Sequence, residues 1–279
     1  NLYPYFPIAE LRWPGVLQRI GICYLAAFAV KRWLGVRGQA ALVAGLLLGY
    51  WALMTLVTGP EGHPPNLEME TNLAGQIDRI VLVPHVWSYV ETWDPEGVLS
   101  TFPAIATTLL GLLCGAWIRS GEGRYPKTVG LLLGGLVLTA LGVLWGEAAP
   151  AGLLFPINKS LWTSSFVLLT GGLAAALFGV TYWVIDVAGW KRWAEPFCTY
   201  GKNAIAVYVA SGLLADTLSV IRWPDATGLP VSLKERLFDT LYASGQPCPV
   251  ASRAWALSVV ALFSHRARWM DRRGIYLKV

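Results

Sequence analysis

The stretch VLSTFPAIATTLLGLLCGAWIRSGEGRYPKTVGLLLGGLVLTALGVLWG, Val98–Gly146, decides the fold class. It holds two apolar blocks, Val98–Ile118 and Thr128–Gly146, around a short connection with Arg119, Glu122, Arg124 and Lys127. Apolar blocks of about 20 residues cross a hydrocarbon core of about 30 Å at about 1.5 Å per helical residue. Neither block alternates residue by residue, as the strands of a membrane β-barrel do. Gly111, Gly115, Gly130, Gly134 and Gly135 sit inside them, as do Gly171 and Gly172 in a later block. Small residues at such spacing let helix backbones approach closely in lipid.

Five further spans read the same way: Pro14–Leu34, Ala40–Thr58, Leu161–Ile185, Lys202–Ile221 and Val250–Ser264. The last is the weakest, because Arg253 and His265 crowd its ends. Composition agrees over the 279 residues. The chain is 55% hydrophobic and 14% charged, against about 25% charged in an ordinary soluble domain, and its mean hydropathy is +0.50. Disordered chains, disulfide scaffolds and most soluble classes are excluded. The fold class is all-α: a polytopic transmembrane helix bundle of about seven spans, forming one transmembrane domain over residues 1–279. Cys23, Cys114, Cys198 and Cys248 share no short motif. The chain opens on NLYPYFP without an initiating Met or signal peptide, which reads as a loop within a longer protein.

Loop charge sets an expected orientation. Lys31, Arg32 and Arg37 follow the first span; Arg119, Arg124 and Lys127 follow the third; Lys191, Arg192 and Lys202 follow the fifth. Arg266, Arg268, Arg272, Arg273 and Lys278 end the chain. The connection Gly59–Gly97 instead carries seven acidic residues against Arg79, a net of −6. Lys and Arg mark cytoplasmic loops, so the amino end is expected outside and the carboxyl end in the cytoplasm. The net charge of +5 belongs to those loops, and no nucleic-acid partner is implied. Two connections on the outer side are long. Leu73–Val83 has Leu, Ile and Val at helical spacing and predicts a short surface helix. Ser232-Leu-Lys-Glu predicts a capping box before a short amphipathic helix.

No GxSxG, P-loop, HExxH or CxxC is present. The informative residues are polar clusters at the ends of apolar spans. Gln18 and Arg19 lie about one turn inside the first. A charge there is expensive unless paired or wetted, so Arg19 either binds an anion in a cavity or snorkels to the interface. Asp94, Pro95 and Glu96 precede the third span. Asp94 reads as a cap at the positive end of the helix dipole, with Ser100, Thr101, Thr107 and Thr108 as cavity lining or as back-bonded hydroxyls. Asn158 and Lys159 sit at the mouth of the fifth span, followed by Ser160, Thr163, Ser164 and Ser165. A helix start with a lysine suits an anion; the plainer reading makes Asn158 or Ser160 a cap and Lys159 a solvated charge. Asn203 reads as a cap and Lys202 as a cytoplasmic marker. The expected binding residues are Arg19, Asn158 and Lys159, with Gln18 and Ser164 behind them.

Five strings in this order, PGVLQRIGICY (Pro14–Tyr24), DPEGVLST (Asp94–Thr101), PINKSLWTSS (Pro156–Ser165), YGKNAIAVY (Tyr200–Tyr208) and DRRGIYLKV (Asp271–Val279), span nearly the whole chain. They resemble the heparan-α-glucosaminide N-acetyltransferase family and its bacterial relatives, which are multi-helix membrane acyltransferases. The resemblance implies transfer of an acetyl group from cytoplasmic acetyl-CoA to a terminal amino sugar of glucosamine type on the outer side, without a metal. It also implies a bacterial inner-membrane protein in contact with the lipid bilayer and a glycan acceptor, and leaves a homo-oligomer open. The family's acyl-handling His lies in amino-terminal helices that this sequence lacks. Neither His63 nor His85 matches that segment, so the catalytic residues are unknown and the chain alone is expected to be inactive. The rival reading is a transporter for amino sugars or oligosaccharides, whose mark would be inverted repeats with broken helices. No internal repeat is visible in the sequence.

Overall fold

Helix dominates the chain. The computed structural model describes residues 11–87, 92–150, 152–224, 228–243 and 249–277. The opening NLYPYFP, Glu91, Cys248 and Lys278 lie outside the described residues. Two compact units divide the chain, Asn1–Gly189 and Trp190–Val279.

In the first unit, α1 (Val16–Trp33) and α2 (Val36–Leu56) both pack on α4 (Thr101–Ile118). The short helix α3 (Leu73–Leu82) falls where the spacing predicts it. Asn72 caps α3, its Oδ1 accepting the Gly75 N–H at 2.9 Å. The helices α5 (Arg124–Val143) and α6 (Ser164–Tyr182) make the most extensive helix pair, and each runs on through one wide π turn, Leu144–Ala148 and Trp183–Val187. Their seam is glycine. A Cβ at Gly135 would lie 2.5 Å from the Ala176 nitrogen, and one at Gly142 would lie 2.5 Å from the Leu169 nitrogen. These backbones touch with no room for a side chain, which is the role the small residues predict. Two further bonds tie the start of α6 to α2: Tyr50 Oη donates to the Leu161 carbonyl at 2.6 Å, and Ser164 Oγ to the Leu47 carbonyl at 2.7 Å.

Among the described residues four helices are long and apolar enough to cross a membrane: Val36–Leu56, Thr101–Ile118, Arg124–Ala148 and Ser164–Val187. The pair Arg192–Lys202 and Ala204–Val220 makes a fifth if it is one span. The other two expected spans are also helical, but they are more charged. The helix α1 holds Arg19, Lys31 and Arg32, and α10 holds Arg253, Arg266, Arg268, Asp271 and Arg272. At most 28% of any of the four apolar windows is buried, so Leu133, Leu136 and Val137 on α5, for example, face outward. Apolar surface of that extent suits lipid, not water. The chain is an all-α membrane protein.

The second unit contains α7 (Glu195–Lys202), α8 (Ala204–Val220), a two-stranded antiparallel ribbon of β1 (Arg222–Pro224) and β2 (Pro230–Ser232), α9 (Leu233–Phe238) and α10 (Pro249–Arg272). Ser232 and Glu235 form the predicted capping box. The span expected at Lys202–Ile221 is the unbroken helix α8, and a 71° bend separates its start from α7. Asn203 stands at the bend, and its side chain does not cap α8. Its Nδ2 donates to the Ile275 carbonyl at 3.2 Å, and its Oδ1 accepts the Leu277 N–H at 3.1 Å. A buried amide thus finds both partners in the tail after α10, and local cap chemistry loses to that pairing. Lys202 is more than a charge marker, since its Nζ donates to Asp271 of α10 at 2.8 Å.

Candidate functional site

Two polar clusters of the first unit, those around Arg19 and Asp94, converge where α1 meets the turn before α4. Arg12 forks onto Asp94, Nε to Oδ2 at 2.7 Å and Nη2 to Oδ1 at 2.5 Å, and also pairs with Glu96. Asp94 Oδ1 accepts the Glu96 N–H at 2.9 Å as well. Asp94 therefore shapes a turn and anchors Arg12; it does not cap α4, whose first turn lacks a side-chain cap. Asp78 on α3 holds the same turn from behind. Its carboxylate accepts the backbone N–H of Val98 at 2.9 Å and of Asp94 at 3.3 Å. Burial pushes the Asp78 carboxyl up to about 6, against the pull of those two bonds. Gly97 is required there, because any Cβ would collide with the Asp78 carboxylate.

Arg19 points into this corner. It is 7% exposed, and its Nη2 donates to Ser100 Oγ and, at 3.5 Å, to the Gly97 carbonyl. Among the described residues, Nε and Nη1 have no hydrogen-bond partner. The nearby carboxylates are committed elsewhere, Asp94 to Arg12 and Asp78 to the backbone. The guanidinium lies over the Trp162 ring at 5.2 Å. Trp162 occupies the left-handed region, at φ 54°, where a bulky residue is strained. Its indole Nε1 bonds Thr107 Oγ1 at 3.1 Å. That strained turn delivers the ring beneath Arg19, so the PINKSLWTSS string reaches the site through Trp162.

A cavity of about 450 Å³ opens beside Arg19, lined also by Trp13, Gln18, Glu96, Thr101 and Phe102. Trp13 stacks on His85 with centroids 3.9 Å apart. His85 Nδ1 lies 3.0 Å from the Leu11 carbonyl. A carbonyl only accepts, so Nδ1 carries the proton and, in the neutral ring, Nε2 keeps a lone pair.

The expected binding residues thus separate. Gln18 and Arg19 line one cavity. Asn158, Lys159 and Ser164 do not line it. Asn158 Oδ1 accepts the N–H groups of Ser160 and Leu161 at 2.8 and 3.1 Å and so closes its own turn. Lys159 is exposed. Ser164 is buried on its bond to α2. Thr107 and Thr108 bond back to the carbonyls four residues earlier. Arg12, Asp78 and Trp162 are the additions from the structure. Only Asp78 has a local signal, an acid on the apolar-spaced stretch Leu73–Val83. Among the described residues no group of three or more His, Cys, Asp or Glu is placed to hold a metal.

A buried guanidinium that lines a cavity attracts negative charge on whatever enters, whether a carboxylate, a phosphate or an oxyanion formed during reaction. Fold and site together define a helical membrane protein with a largely apolar cavity that a buried arginine lines. Comparison with known proteins makes that class more particular. No family model matches the chain. Heparan-alpha-glucosaminide N-acetyltransferase of Mus musculus is 25% identical over 317 residues, covering 95% of this chain. The Homo sapiens protein of that name is 24% identical over 322 residues, again covering 95%. The chain spans 46% of the length of each of these two relatives. It is a distant relative of these acetyltransferases.

Proposed function

We propose that this chain is part of a membrane acetyltransferase that moves an acetyl group from cytoplasmic acetyl-CoA to an amino sugar of glucosamine type on the opposite side. The observation that carries the reading is Arg19: a buried cation that lines a cavity, with Nε and Nη1 lacking a hydrogen-bond partner among the described residues, in a chain distantly related to N-acetyltransferases. In this proposal Arg19, with Gln18 beside it, holds the negative oxygen of donor, acceptor or tetrahedral intermediate. The sugar amine attacks the acetyl carbonyl, either of acetyl-CoA itself or of an acyl-enzyme formed from it. The C–S bond to coenzyme A breaks in the first transfer, coenzyme A leaves as its thiol, and the amine proton passes to a general base. Lys159 adds a guiding charge, Asn158 shapes its turn, and Ser164 fixes α6 to α2. Both units belong to one transmembrane domain of about seven spans, with α1 and α10 crossing as charged helices.

The test is acetylation of glucosamine by membranes containing the full-length protein. Arg19→Met should abolish turnover, Arg19→Lys should recover a small part, and wild-type rates in Arg19→Met would overturn the assignment. Orientation is tested separately. Single cysteines in residues 59–87 should react with an impermeant thiol reagent from outside, and those in residues 121–125 should not; the reverse pattern would invert the topology.

The break between α7 and α8 favours a second reading, a transporter of amino sugars, since discontinuous helices line transport sites. Counterflow of labelled glucosamine in proteoliposomes without acetyl-CoA would support it against the acetyltransferase.

A further inference from the structure

The second unit holds a polar cavity of about 390 Å³ that the reading above does not use. Its lining includes Arg192, Glu195, Thr199, Arg268, Asp271 and Arg272. Helical register explains the grouping. Arg268 and Arg272 are four residues apart on α10, as Glu195 and Thr199 are on α7, so each pair shares one face, and α7 packs on α10. Arg192 comes from the single turn before α7.

The charge balance of this cavity is uneven. Asp271 is already held by Lys202 Nζ, at 2.8 and 3.1 Å, and by Tyr276 Oη at 2.8 Å. Glu195 is the other lining carboxylate, facing three arginines. Among the described residues, Arg192, Arg268 and Arg272 have no ion pair and donate no side-chain hydrogen bond. All three are exposed, so water screens their mutual repulsion, and an anion between them gains attraction from each. Their planar forks match the oxygens of a phosphate ester.

Aromatic residues place the cavity at headgroup depth. Trp190 is 66% exposed, and Trp193 and Phe197, ring to ring at 5.9 Å, are 39% and 69% exposed. Exposed Trp on a membrane protein marks the interface between lipid and water, which is where phosphates lie.

We propose that Arg192, Arg268 and Arg272 form a binding site for an anionic phosphate ester, carried by a lipid headgroup or by coenzyme A. The site shares no residue with the Arg19 corner; only its coenzyme A form rests on the acetyltransferase reading.

The test measures binding, not acetyl transfer, on the full-length protein in neutral detergent. Native mass spectrometry follows retention of phosphatidylglycerol against phosphatidylcholine, and equilibrium dialysis follows coenzyme A. A basic residue near an anionic surface contributes about fivefold in affinity, so Arg268→Gln/Arg272→Gln should weaken binding by about twentyfold or more. Loss confined to phosphatidylglycerol identifies the lipid as the source, and loss confined to coenzyme A identifies the cofactor. Glu195→Gln, which leaves all three arginines in place, should tighten binding severalfold and serves if the double variant does not fold. Two results overturn the site. One is equal retention of the two lipids together with no coenzyme A binding by the wild-type protein. The other is wild-type binding of both probes by folded Arg268→Gln/Arg272→Gln, or by Glu195→Gln where the double variant does not fold. A negative result leaves acetyl transfer at Arg19 to be judged on its own assay.

Discussion

Arg19 and Lys159 look alike in the sequence: each is a lone cation at the polar end of an apolar span. The structure treats them oppositely. Arg19 is 7% exposed and lines a cavity, and two of its donors lack a hydrogen-bond partner among the described residues. Lys159 stands in the open on a turn whose polar groups Asn158 satisfies. The same formal charge is screened by water in one place and confined among apolar walls in the other. Between these two lone cations, burial and not charge makes the difference.

Substitutions can break this contrast. The largest effect is expected at Arg19. In the full-length protein Arg19→Met should lower turnover at least about a hundredfold, roughly 2.7 kcal/mol at 1.36 kcal/mol per decade. It should leave thermal stability unchanged or raise it, because an under-bonded buried guanidinium weighs against the fold. A large drop in melting temperature would make Arg19 a structural strut instead.

The second effect is a pH dependence at Asp78. Its carboxyl is pushed up to about 6 in the folded protein, against about 3.9 in an unfolded chain. The folded state therefore holds the proton more tightly. This contribution to stability is full below about pH 4 and is lost as pH rises through 6. At about 1.36 kcal/mol per pH unit, the total is on the order of 2–3 kcal/mol. Thermal melts of the wild type between pH 4 and 7 should carry this slope, and Asp78→Asn should flatten it. Identical slopes in the two proteins would remove Asp78 as its source.

Ser100→Ala comes third. It removes the hydroxyl that takes Arg19 Nη2 and should cost about 1 kcal/mol of transition-state binding, near fivefold in kcat/KM. The smallest effect is at Lys159. An exposed charge contributes about 0–1 kcal/mol, so Lys159→Met should change KM by less than about fivefold. A loss as large as that of Arg19→Met would mean that Lys159 reaches the same ligand.

Much of the fold was legible because it rests on local periodicity. The apolar blocks, the helix at Leu73–Leu82 and the Ser232 capping box all depend on neighbours within a few residues. The glycines of α5 and α6 show in the sequence as small-residue spacing even though the seam they form joins distant segments. The site was half legible. Arg19 stood out as a charge among apolar residues, but its surroundings come from far along the chain. Arg12 meets Asp94 across 82 residues, and Trp162 reaches back to Arg19 from a strained turn that no spacing announces. Asn203 was misread for the same reason: its side chain answers to Ile275 and Leu277, not to the helix that follows it.

That last pairing bears on how the protein is made. The amide of Asn203 lies 72 residues before the Ile275 carbonyl that satisfies it. At about 5–20 residues per second of synthesis, α7 and α8 emerge several seconds before the tail exists to close on their bend. During that interval the buried amide has neither of its final partners. The second unit therefore cannot settle while it is still being translated, and its completion waits on the end of α10.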